Sequence, residues 1–231
     1  MTKKNHAPQA ESRAATQASS VYDRLRTDIL AGRLEPGKRL RLKELIEEYE
    51  TGNSPLREAL NRLTSDGMVI LEENRGFLVP LTSIEELEEL LQTRCWLEET
   101  ALRDSIENGD AEWQERIVLA FHWLSQASRS NAADDESAAA QWEEHHMGFH
   151  HALISGCRSS ILVGYCAQLQ SRTLRYRNLA EVIEYRDLHE LEEHRKLQDA
   201  VLQRDTELAV SLLHKHYTIT MEILLASGRF D

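Results

Sequence analysis

Histidines four residues apart are the side chains of this sequence best suited to metal chemistry. His146 and His150 lie in the segment EEHHMGFHHALI, and residues at this spacing project from the same face of a helix. His194 and His216 follow in EEHRKLQDAV and LLHKHYTI, where apolar residues also have helical spacing. Imidazole nitrogens suit zinc, nickel and other borderline divalent cations, and a carboxylate can complete or replace one ligand position. The four histidines together therefore predict a divalent metal site.

The alternative is that these histidines are ordinary exposed or core residues that bind no metal. The spacing of a single pair does not separate the two interpretations, and a chain with ten histidines can contain such a pair by coincidence. We assign no role to the histidines elsewhere in the same segments and nearby: His122, His145, His151, His189 and His214.

The elements that would position these ligands are the helices of an all-α bundle. From Ser83 onwards the apolar residues recur at helical spacing, and the region contains no proline. A helical bundle can direct side chains from several helices towards one interior point. The predicted helices span residues 84–108, 111–128, 137–156, 159–182, 187–204 and 206–227.

The first part of the chain has the pattern of a winged helix-turn-helix domain. Residues 1–18 lack apolar periodicity and mix small, polar and basic residues, so we expect a mobile arm there. Residues 19–82 then contain three amphipathic helical segments, followed by a hairpin around Gly76 in MVILEENRGFLVPL. In such a domain one helix enters the major groove of DNA, and the hairpin, or wing, reaches a flanking groove.

The third helix of this domain would place its side chains against the bases. Ser54 is predicted to cap that helix, and Arg57 in its first turns suits a bidentate contact with guanine. Asn53 at the helix start can contact a phosphate or an adenine edge. The remaining predicted DNA contacts are basic residues directed at phosphates and the wing glycine: Arg41, Lys43, Arg62, Arg75 and Gly76. The alternative for the two helical arginines is that they only solvate a helix face.

The overall charge of the chain opposes nucleic-acid binding, but its distribution does not. The net charge is −12, whereas affinity for DNA comes from neutralisation of phosphates by Lys and Arg. Residues 1–82 contain 13 Lys and Arg against 12 Asp and Glu, a net charge of +1. Residues 83–231 contain 14 against 27, a net charge of −13. The first half therefore remains compatible with DNA.

The composition, 41% apolar and 29% charged, is that of a globular protein rather than a disordered or fibrous one. No run approaches the roughly 18 consecutive apolar residues that span a bilayer, and the N-terminal residues lack the apolar stretch of a signal peptide. Cys95, Cys157 and Cys166 have neither metal-ligand spacing nor an even count, so we expect reduced thiols. These features predict a cytoplasmic protein with no membrane partner.

The pattern of the first domain resembles the GntR family of bacterial transcriptional regulators. The resemblance follows LRTDILAGRLEPGKRLRLKELIEEYETGNSPLREALNRLTSDGMVILEENRGFLV, most of residues 19–82. It implies a winged helix-turn-helix of three helices plus a small β-hairpin, with Arg57 in contact with the bases. The family commonly has Ser-Arg-Thr-Pro where this sequence has Gly-Asn-Ser-Pro before Leu56. Because an arginine is missing there, the operator need not match that of relatives that have it.

Residues 84–227 resemble the FCD ligand-binding domain, an all-helical bundle that accompanies the FadR-type branch of this family. Metal-binding members have an aspartate four residues before the histidine of a Phe-His pair, a histidine in a Glu-His-Arg segment and another near the last helix. This pattern maps onto His146, His150, His194 and His216, with His146 in place of the aspartate. Four neutral imidazoles leave the full +2 charge of a divalent ion instead of +1, which favours an anionic effector.

The resemblance also implies an arginine that binds the effector. Arg94, in LLQTRCWLEE, occupies the position of that arginine, and a guanidinium can hold a carboxylate bidentately. The alternative is a salt bridge with Glu98 along one helix, and both roles can coexist. The segment RTLRYRNLA resembles a subgroup related to the carbon-starvation-induced regulator, and we expect Tyr176 or Arg177 to contact the effector. A solvated basic face is the alternative for these two residues.

Together these features predict a mainly α transcriptional regulator that responds to a small metabolite. Residues 1–18 would form the arm, 19–82 the DNA-binding domain and 83–231 the FCD domain, which binds effector and metal. The resemblance implies a homodimer on a pseudo-palindromic, double-stranded DNA operator. It also implies repression that a small carboxylate or dicarboxylate relieves.

Two other functions are compatible with parts of the sequence. A metal-dependent enzyme would need a general base, a nucleophile or a phosphate loop beside the metal, and no such motif stands out. A direct metal sensor would need no organic effector. Arg94 opposes that second function, because an arginine directed at a cationic site favours an anion between them.

Overall fold

A computed structural model describes the backbone of residues 7–127, 136–180 and 187–230. Within these ranges the chain is mainly helical with one small sheet, and it divides into two units, Met1–Thr82 and Ser83–Asp231. The predicted fold class, a winged helix-turn-helix followed by a helical bundle, is confirmed. No helix of these described ranges is long and apolar enough to cross a membrane.

The first unit contains two short helices in the arrangement of a helix-turn-helix. Its helices are α1 (Ala7–Leu30), α2 (Leu42–Glu48) and α3 (Asn53–Ser65). The turn between α2 and α3 includes Glu50, whose left-handed φ of 49° reverses the chain within four residues. α1 packs against α3, and the apolar stripes of the two helices are buried: Val21, Leu25, Ile29, Leu56, Ala59, Leu60 and Leu63. This packing holds the opposite side of α3 towards solvent.

The predicted hairpin is part of a three-stranded antiparallel sheet. Its strands are β1 (Arg39–Leu40), β2 (Ile70–Glu72) and β3 (Gly76–Leu78), in the spatial order β1-β3-β2. Phe77 pairs with Leu71 on one side and with Leu40 on the other, and its side chain is buried. Strand β1 was not predicted, because a strand of two residues is too short to show an alternating pattern.

The first helix begins earlier than the sequence pattern indicates. α1 starts at Ala7, whereas residues 1–18 were predicted to form an arm. The segment APQAESRAATQA is rich in Ala, Gln, Glu and Arg, which favour a helix even without an apolar stripe. Residues 1–6 lie outside the described residues, and the mobility of the arm stays a prediction.

The cap of α3 also differs from the prediction. The N-cap residue is Gly52, no side chain accepts a hydrogen bond at that cap, and the helix proper begins at Asn53. Ser54 therefore lies within the first turn and does not cap it. Pro55 fits the same turn because the first four N–H groups of a helix have no partner within it.

The described residues of the second unit form helices. They are α4 (Ile84–Asn108), α5 (Ala111–Gln126), α6 (Glu136–Ile154), α7 (Ser160–Leu179), α8 (Asp187–Leu202) and α9 (Thr206–Ala226). Several begin at a residue whose side-chain oxygen accepts the backbone N–H three residues later: Ser83, Asp110, Ser159 and Asp205. Such caps stabilise helix starts, and the observed bounds lie within three residues of the predicted ones.

Two hydrophobic clusters orient the helices of the second unit. In the larger one, the indole N–H of Trp113 on α5 donates to the carbonyl of Ala152 on α6 at 3.0 Å. Phe149, Leu197 and Leu213 join this cluster from α6, α8 and α9. The smaller cluster joins α4, α7 and α9 through Leu87, Leu90, Leu91, Tyr176 and Leu224. Because α6, α8 and α9 also bear the four predicted ligands, this packing fixes the directions of their imidazole rings.

Candidate functional site

The structure brings the four predicted ligands together inside the second unit. His146 and His150 come from α6, His194 from α8 and His216 from α9, and one ligand atom of each lies within 4.8 Å of the others. Nε2 of His150 is 3.2 Å from Nε2 of His146 and 3.3 Å from Nε2 of His194. We call these four residues the histidine cluster. Within the described ranges, no second group of His, Cys, Asp and Glu has this geometry.

The spacing of the ring nitrogens fits a single divalent ion. Nitrogens that each lie about 2.0–2.1 Å from one ion are roughly 2.9–3.4 Å apart for ligand angles of about 90–110°. Two of the separations, 3.2 Å and 3.3 Å, fall within that interval. The four ligand atoms together spread over up to 4.8 Å, more than the roughly 4.1 Å that one ion can span, so the rings have to move inward before all four bind one ion. Neutral imidazoles are also the ligand type that zinc and nickel accept. The donor set therefore suits the predicted cofactor, two of its separations match a bound ion, and nothing in either identifies the metal.

Burial keeps at least two of these rings uncharged. Desolvation lowers the pKa of His146 well below its usual value, and the neighbouring Arg177 adds to the effect. Desolvation also lowers the pKa of His150, with further contributions from His216 and His194. An uncharged imidazole has a nitrogen lone pair, so these rings are ready to bind a cation at neutral pH.

The ring atoms that face away from the cluster have different partners. Nδ1 of His216 lies 3.8 Å from the carboxylate of Glu193, the kind of neighbour that metal-ligating histidines commonly have. Nδ1 of His146 instead faces Nη1 of Arg177 at 2.8 Å. Nδ1 of His150 is buried without a hydrogen-bond partner among the described residues. Among the described residues, Nδ1 of His146 and Nδ1 of His150 therefore lack the hydrogen-bond acceptor that a metal-ligating histidine usually has.

Arg94 is buried beside the histidine cluster and belongs to an ion pair. Its Nε is 2.8 Å from Glu98 Oε1, and its Nη2 donates to the hydroxyl of Tyr217 at 2.9 Å. That hydroxyl donates to the second oxygen of Glu98, which closes a three-residue network. Burial opposes the charge of Arg94, but Glu98 and Tyr217 hold its pKa above the usual range. The predicted alternative, a bridge with Glu98, is present, but it is buried rather than exposed.

Arg94 and the histidines line one small cavity, which we call the histidine cavity. Its charged and imidazole side chains come from α4, α6, α7 and α9: Arg94, Glu143, His146, His150, Arg177 and His216. The free space between the side chains is about 10 Å³, roughly the room of one water molecule. In this arrangement the cavity can admit an ion, and an organic ligand requires side chains to move.

The two other predicted effector residues have different positions. Arg177 lines the histidine cavity, where its Nη2 also forms an ion pair with Glu143 Oε1 at 3.2 Å. Tyr176 does not line it. The Tyr176 hydroxyl donates to Glu86 at 2.5 Å and accepts the backbone N–H of Ser83 at 3.2 Å, so it contacts the start of α4. Adjacent residues of a helix point about 100° apart, which explains why only one of the two faces the cavity.

The predicted DNA contacts on α3 are exposed. Arg57 and Arg62 lie on one exposed surface of α3, and Nε of Arg57 donates to Asn53 Oδ1 at 2.9 Å. The guanidinium of Arg62 lies over the ring of Tyr22 at 4.2 Å from its centroid and donates to Ser19. Both arginines are thus oriented by neighbours while they remain available to a ligand. Ser54 is exposed at the start of the same face.

The remaining predicted contacts lie on α2 and on the wing. Lys43 and Arg41 are exposed at the start of α2, where Arg41 pairs with Glu44 at 3.0 Å. Arg75 and Gly76 are exposed at the tip of the hairpin, and Gly76 has a left-handed φ of 82° that closes its turn. A side chain other than glycine would be strained at that φ.

Comparisons with known proteins agree with this architecture. The model for bacterial regulatory proteins of the gntR family matches residues 17–79, and the FCD domain model matches residues 89–218. BphR, an HTH-type transcriptional regulator of Paraburkholderia xenovorans, is 36% identical over 209 residues, which are 90% of this chain and 85% of BphR. This chain belongs to the GntR family.

Further relatives of this GntR-family chain are also regulators. GlaR, an HTH-type transcriptional repressor of Escherichia coli, is 30% identical over 211 residues, which are 88% of this chain and 93% of GlaR. The solved structure of Escherichia coli McbR/YncC has a TM-score of 0.75 and 25% identity, and covers 92% of this chain and 98% of its own. The chain is therefore a DNA-binding transcriptional regulator of the GntR/FCD type and not an enzyme.

Several residues at the sites of this GntR-family chain were not predicted from its sequence. Glu143 and Tyr217 contact the predicted effector residues, and Gln170 and Thr173 add polar groups to the histidine cavity. Two of them had a signal in the sequence: Glu143 is three residues before His146, and Tyr217 directly follows His216. Residues three apart share a helix face, so the spacing of Glu143 was informative.

Proposed function

We propose that this GntR-family regulator is a repressor whose operator binding is relieved by a small carboxylate or dicarboxylate bound at a metal ion in the histidine cavity. The observation that supports this most is the position of two arginines, Arg94 and Arg177, in the same cavity as three ligands of the histidine cluster. A divalent ion there, zinc or nickel, supplies a Lewis-acidic position for a carboxylate oxygen. The arginines supply bidentate hydrogen bonds to the same anion.

The charges around the cavity support an anionic effector. Arg94 is paired with Glu98 and Arg177 with Glu143, while burial keeps His146 uncharged. These groups therefore nearly cancel one another, and a divalent ion adds two positive charges in a buried place. Buried charge is costly unless an opposite charge compensates it. A dicarboxylate would neutralise the ion fully and a monocarboxylate would do so in part.

The DNA side of the proposal involves a homodimer on a pseudo-palindromic operator. Arg57, with Asn53 and Ser54 beside it, contacts base edges, while Arg41, Lys43 and Arg62 contact phosphates. Arg75 and Gly76 place the wing against the flanking groove. Two recognition helices must lie roughly 34 Å apart to read two half-sites, so a dimer is required. GlaR, a relative described as a repressor, supports repression as the mode of action.

Regulation requires that the effector distinguishes two arrangements of the dimer. A ligand that binds both arrangements equally does not shift the equilibrium between them. The arrangement that does not bind the operator must therefore bind the carboxylate more tightly. The small free space in the histidine cavity is consistent with this, because side chains have to move before an organic anion fits.

A second candidate function is direct metal sensing. The observation that favours it is the same free space, about 10 Å³, which admits an ion but no organic molecule. Under this alternative the metal alone would change operator affinity. The two functions differ in whether the zinc-loaded protein binds carboxylates at all.

The test is a thermal-shift screen of the zinc-loaded protein against small mono- and dicarboxylates. A ligand that binds the folded state raises the melting temperature, and we expect at least one dicarboxylate to do so. His150→Ala should abolish the shift, while the exposed neighbour His151→Ala should retain it. Arg94→Lys keeps the charge opposite Glu98 but not the bidentate geometry, and should reduce the shift. Zinc binding without any carboxylate response would favour direct metal sensing.

A further inference from the structure

The two nitrogens of the His146 ring face incompatible neighbours. Nε2 points into the histidine cluster, 3.2 Å from Nε2 of His150. Nδ1 lies 2.8 Å from Nη1 of Arg177, a guanidinium nitrogen. A guanidinium only donates hydrogen bonds, so Nδ1 has to accept this one.

An imidazole that accepts at Nδ1 cannot also bind a metal through Nε2. A neutral imidazole has one N–H, and if Nδ1 is the acceptor the hydrogen is on Nε2. A metal ligand instead needs the Nε2 lone pair, which places the hydrogen on Nδ1, where it normally meets an acceptor. The contact with Arg177 and coordination by His146 are therefore mutually exclusive.

His216 shows the arrangement that coordination favours. Its Nδ1 is 3.8 Å from the carboxylate of Glu193, too long for a hydrogen bond, but the neighbour is an acceptor towards which the N–H of a metal-bound ring could move. His146 has a cation in the corresponding place. The two rings thus differ in the residue next to Nδ1, which is Glu193 for His216 and Arg177 for His146.

We infer that Arg177 competes with the metal ion for His146, so that the site binds its ion through His150, His194 and His216 and recruits His146 only when Arg177 is drawn away. This inference rests on the metal site of the proposed function. Arg177 also pairs with Glu143 at 3.2 Å and lies over the ring of Trp142, 5.2 Å from its centroid. These contacts tether the guanidinium, which can leave His146 by a short movement and remain at the cavity.

The competition couples the anion to the metal. An anion that binds Arg177 in the cavity removes it from His146, and the ion then gains a fourth histidine. Coupling between two ligands is reciprocal, so the bound metal equally strengthens binding of the anion. In this chain the histidine at position 146 would thus link binding of the metal ion to binding of the anion.

A double-mutant cycle on zinc affinity tests the competition. Zinc binding to the full-length protein is measured by competition with a chromophoric chelator, for the wild type, Arg177→Gln, His146→Asn and the double variant. We expect Arg177→Gln to raise zinc affinity by about tenfold or more, since outer-shell partners change metal affinity by roughly 10–100-fold. The gain should vanish when His146→Asn is also present. Circular dichroism confirms that each variant is folded.

Two controls separate this effect from loss of charge and from failure of the site. Arg172→Gln removes a positive charge from the same helix, where Arg172 pairs with Glu86 outside the cavity, and should leave zinc affinity nearly unchanged. An unchanged or lower zinc affinity in Arg177→Gln, or a gain that persists with His146→Asn, would overturn the inference. His150→Asn should weaken zinc binding in every background. If it does not, the metal site of the proposed function is itself wrong, and the inference falls with it.

Discussion

At the scale of single residues, burial of the α6 histidines makes the metal-free protein sensitive to acid. The pKa values of His146 and His150 are lowered in the folded state, mainly by desolvation. Below pH about 6.5 the unfolded chain therefore binds more protons than the folded chain. Stability is then fully present above that pH and is lost as the pH falls. We expect the urea midpoint of the chelator-treated protein to decrease between pH about 7.5 and about 5.5.

A matched pair of variants tests whether the buried imidazole of His150 causes this acid sensitivity. His150→Asn removes one buried imidazole and should lose less stability on acidification than the wild type. His151→Asn changes an exposed ring on the same helix and should behave like the wild type. Equal acid sensitivity in all three proteins would show that the buried ring is not its source.

Arg57 is the residue on which base recognition depends in this account. Arg57→Ala should weaken operator binding by about 5–150-fold, the loss that corresponds to one bidentate base contact of ~1–3 kcal/mol. Lys43→Ala should weaken binding to operator and random DNA alike and lower the salt dependence by about one ion. Fluorescence anisotropy on both duplexes measures these effects. A uniform loss on both duplexes for Arg57→Ala would place it among the phosphate contacts.

The individual ligands could be predicted, but their neighbours could not. Residue type and helical spacing were sufficient to predict His146 and His150 as a pair with His194 and His216 as further candidates, and the family pattern supported all four. The contact of Arg177 with His146 joins residues 31 positions apart on two helices. This contact forms only at one rotation of α7 about its helix axis. The spacing of apolar residues defines that rotation only coarsely. The same rotation turned Tyr176 away from the cavity.

At the scale of elements, α6 contains a glycine that nothing in its surroundings requires. Gly148 is exposed, and a Cβ there would meet no atom within 4 Å. Gly148→Ala should therefore stabilise the protein by about 0.5–1 kcal/mol, because glycine is unfavourable inside a helix. Gly109→Ala is the opposite case, since its Cβ would lie 2.0 Å from the Trp113 ring, and it should destabilise strongly. Urea denaturation distinguishes the two, and destabilisation by Gly148→Ala would contradict the account of α6.

The start of α4 is attached to α7 by a polar contact whose loss can be measured. The Tyr176 hydroxyl bonds to Glu86 and to the backbone of Ser83, the first residue of the second unit. Tyr176→Phe should lower the free energy of unfolding by about 1–3 kcal/mol, the range for a hydrogen bond to a charged group. Zinc affinity should not change, because the contact lies outside the histidine cavity. Tyr165→Phe, at an exposed position of the same helix, is the control, and an equal loss there would refute the assignment.

The elements themselves were largely predictable because their ends have local chemical signals. Ser83 and Asp205 cap helices whose starts were predicted at 84 and 206, and the glycine and proline content separated the first unit from the bundle. Strand β1 and the cap of α3 were missed. The first depends on pairing with β3, and the second on a backbone N-cap at Gly52 that has no side chain to reveal it.

At the scale of the whole molecule, the charge is distributed unevenly between the two units. The first 82 residues have a net charge of +1 and present arginines on α3, α2 and the wing, whereas the remainder has a net charge of −13. Because the second unit is strongly acidic, we expect affinity for DNA to come from the few cations of the first unit. The proposed dimer on a pseudo-palindromic operator would double these contacts.

The most direct test of the central claim is operator affinity in the presence of both proposed ligands. An operator duplex selected from random DNA is titrated with zinc-loaded protein, without and with a saturating amount of the carboxylate that most stabilises it. We expect the carboxylate to weaken operator binding by about tenfold or more, within the usual range of allosteric coupling. His150→Ala should abolish this effect, while His151→Ala should retain it. Unchanged operator affinity with the carboxylate bound would contradict the account.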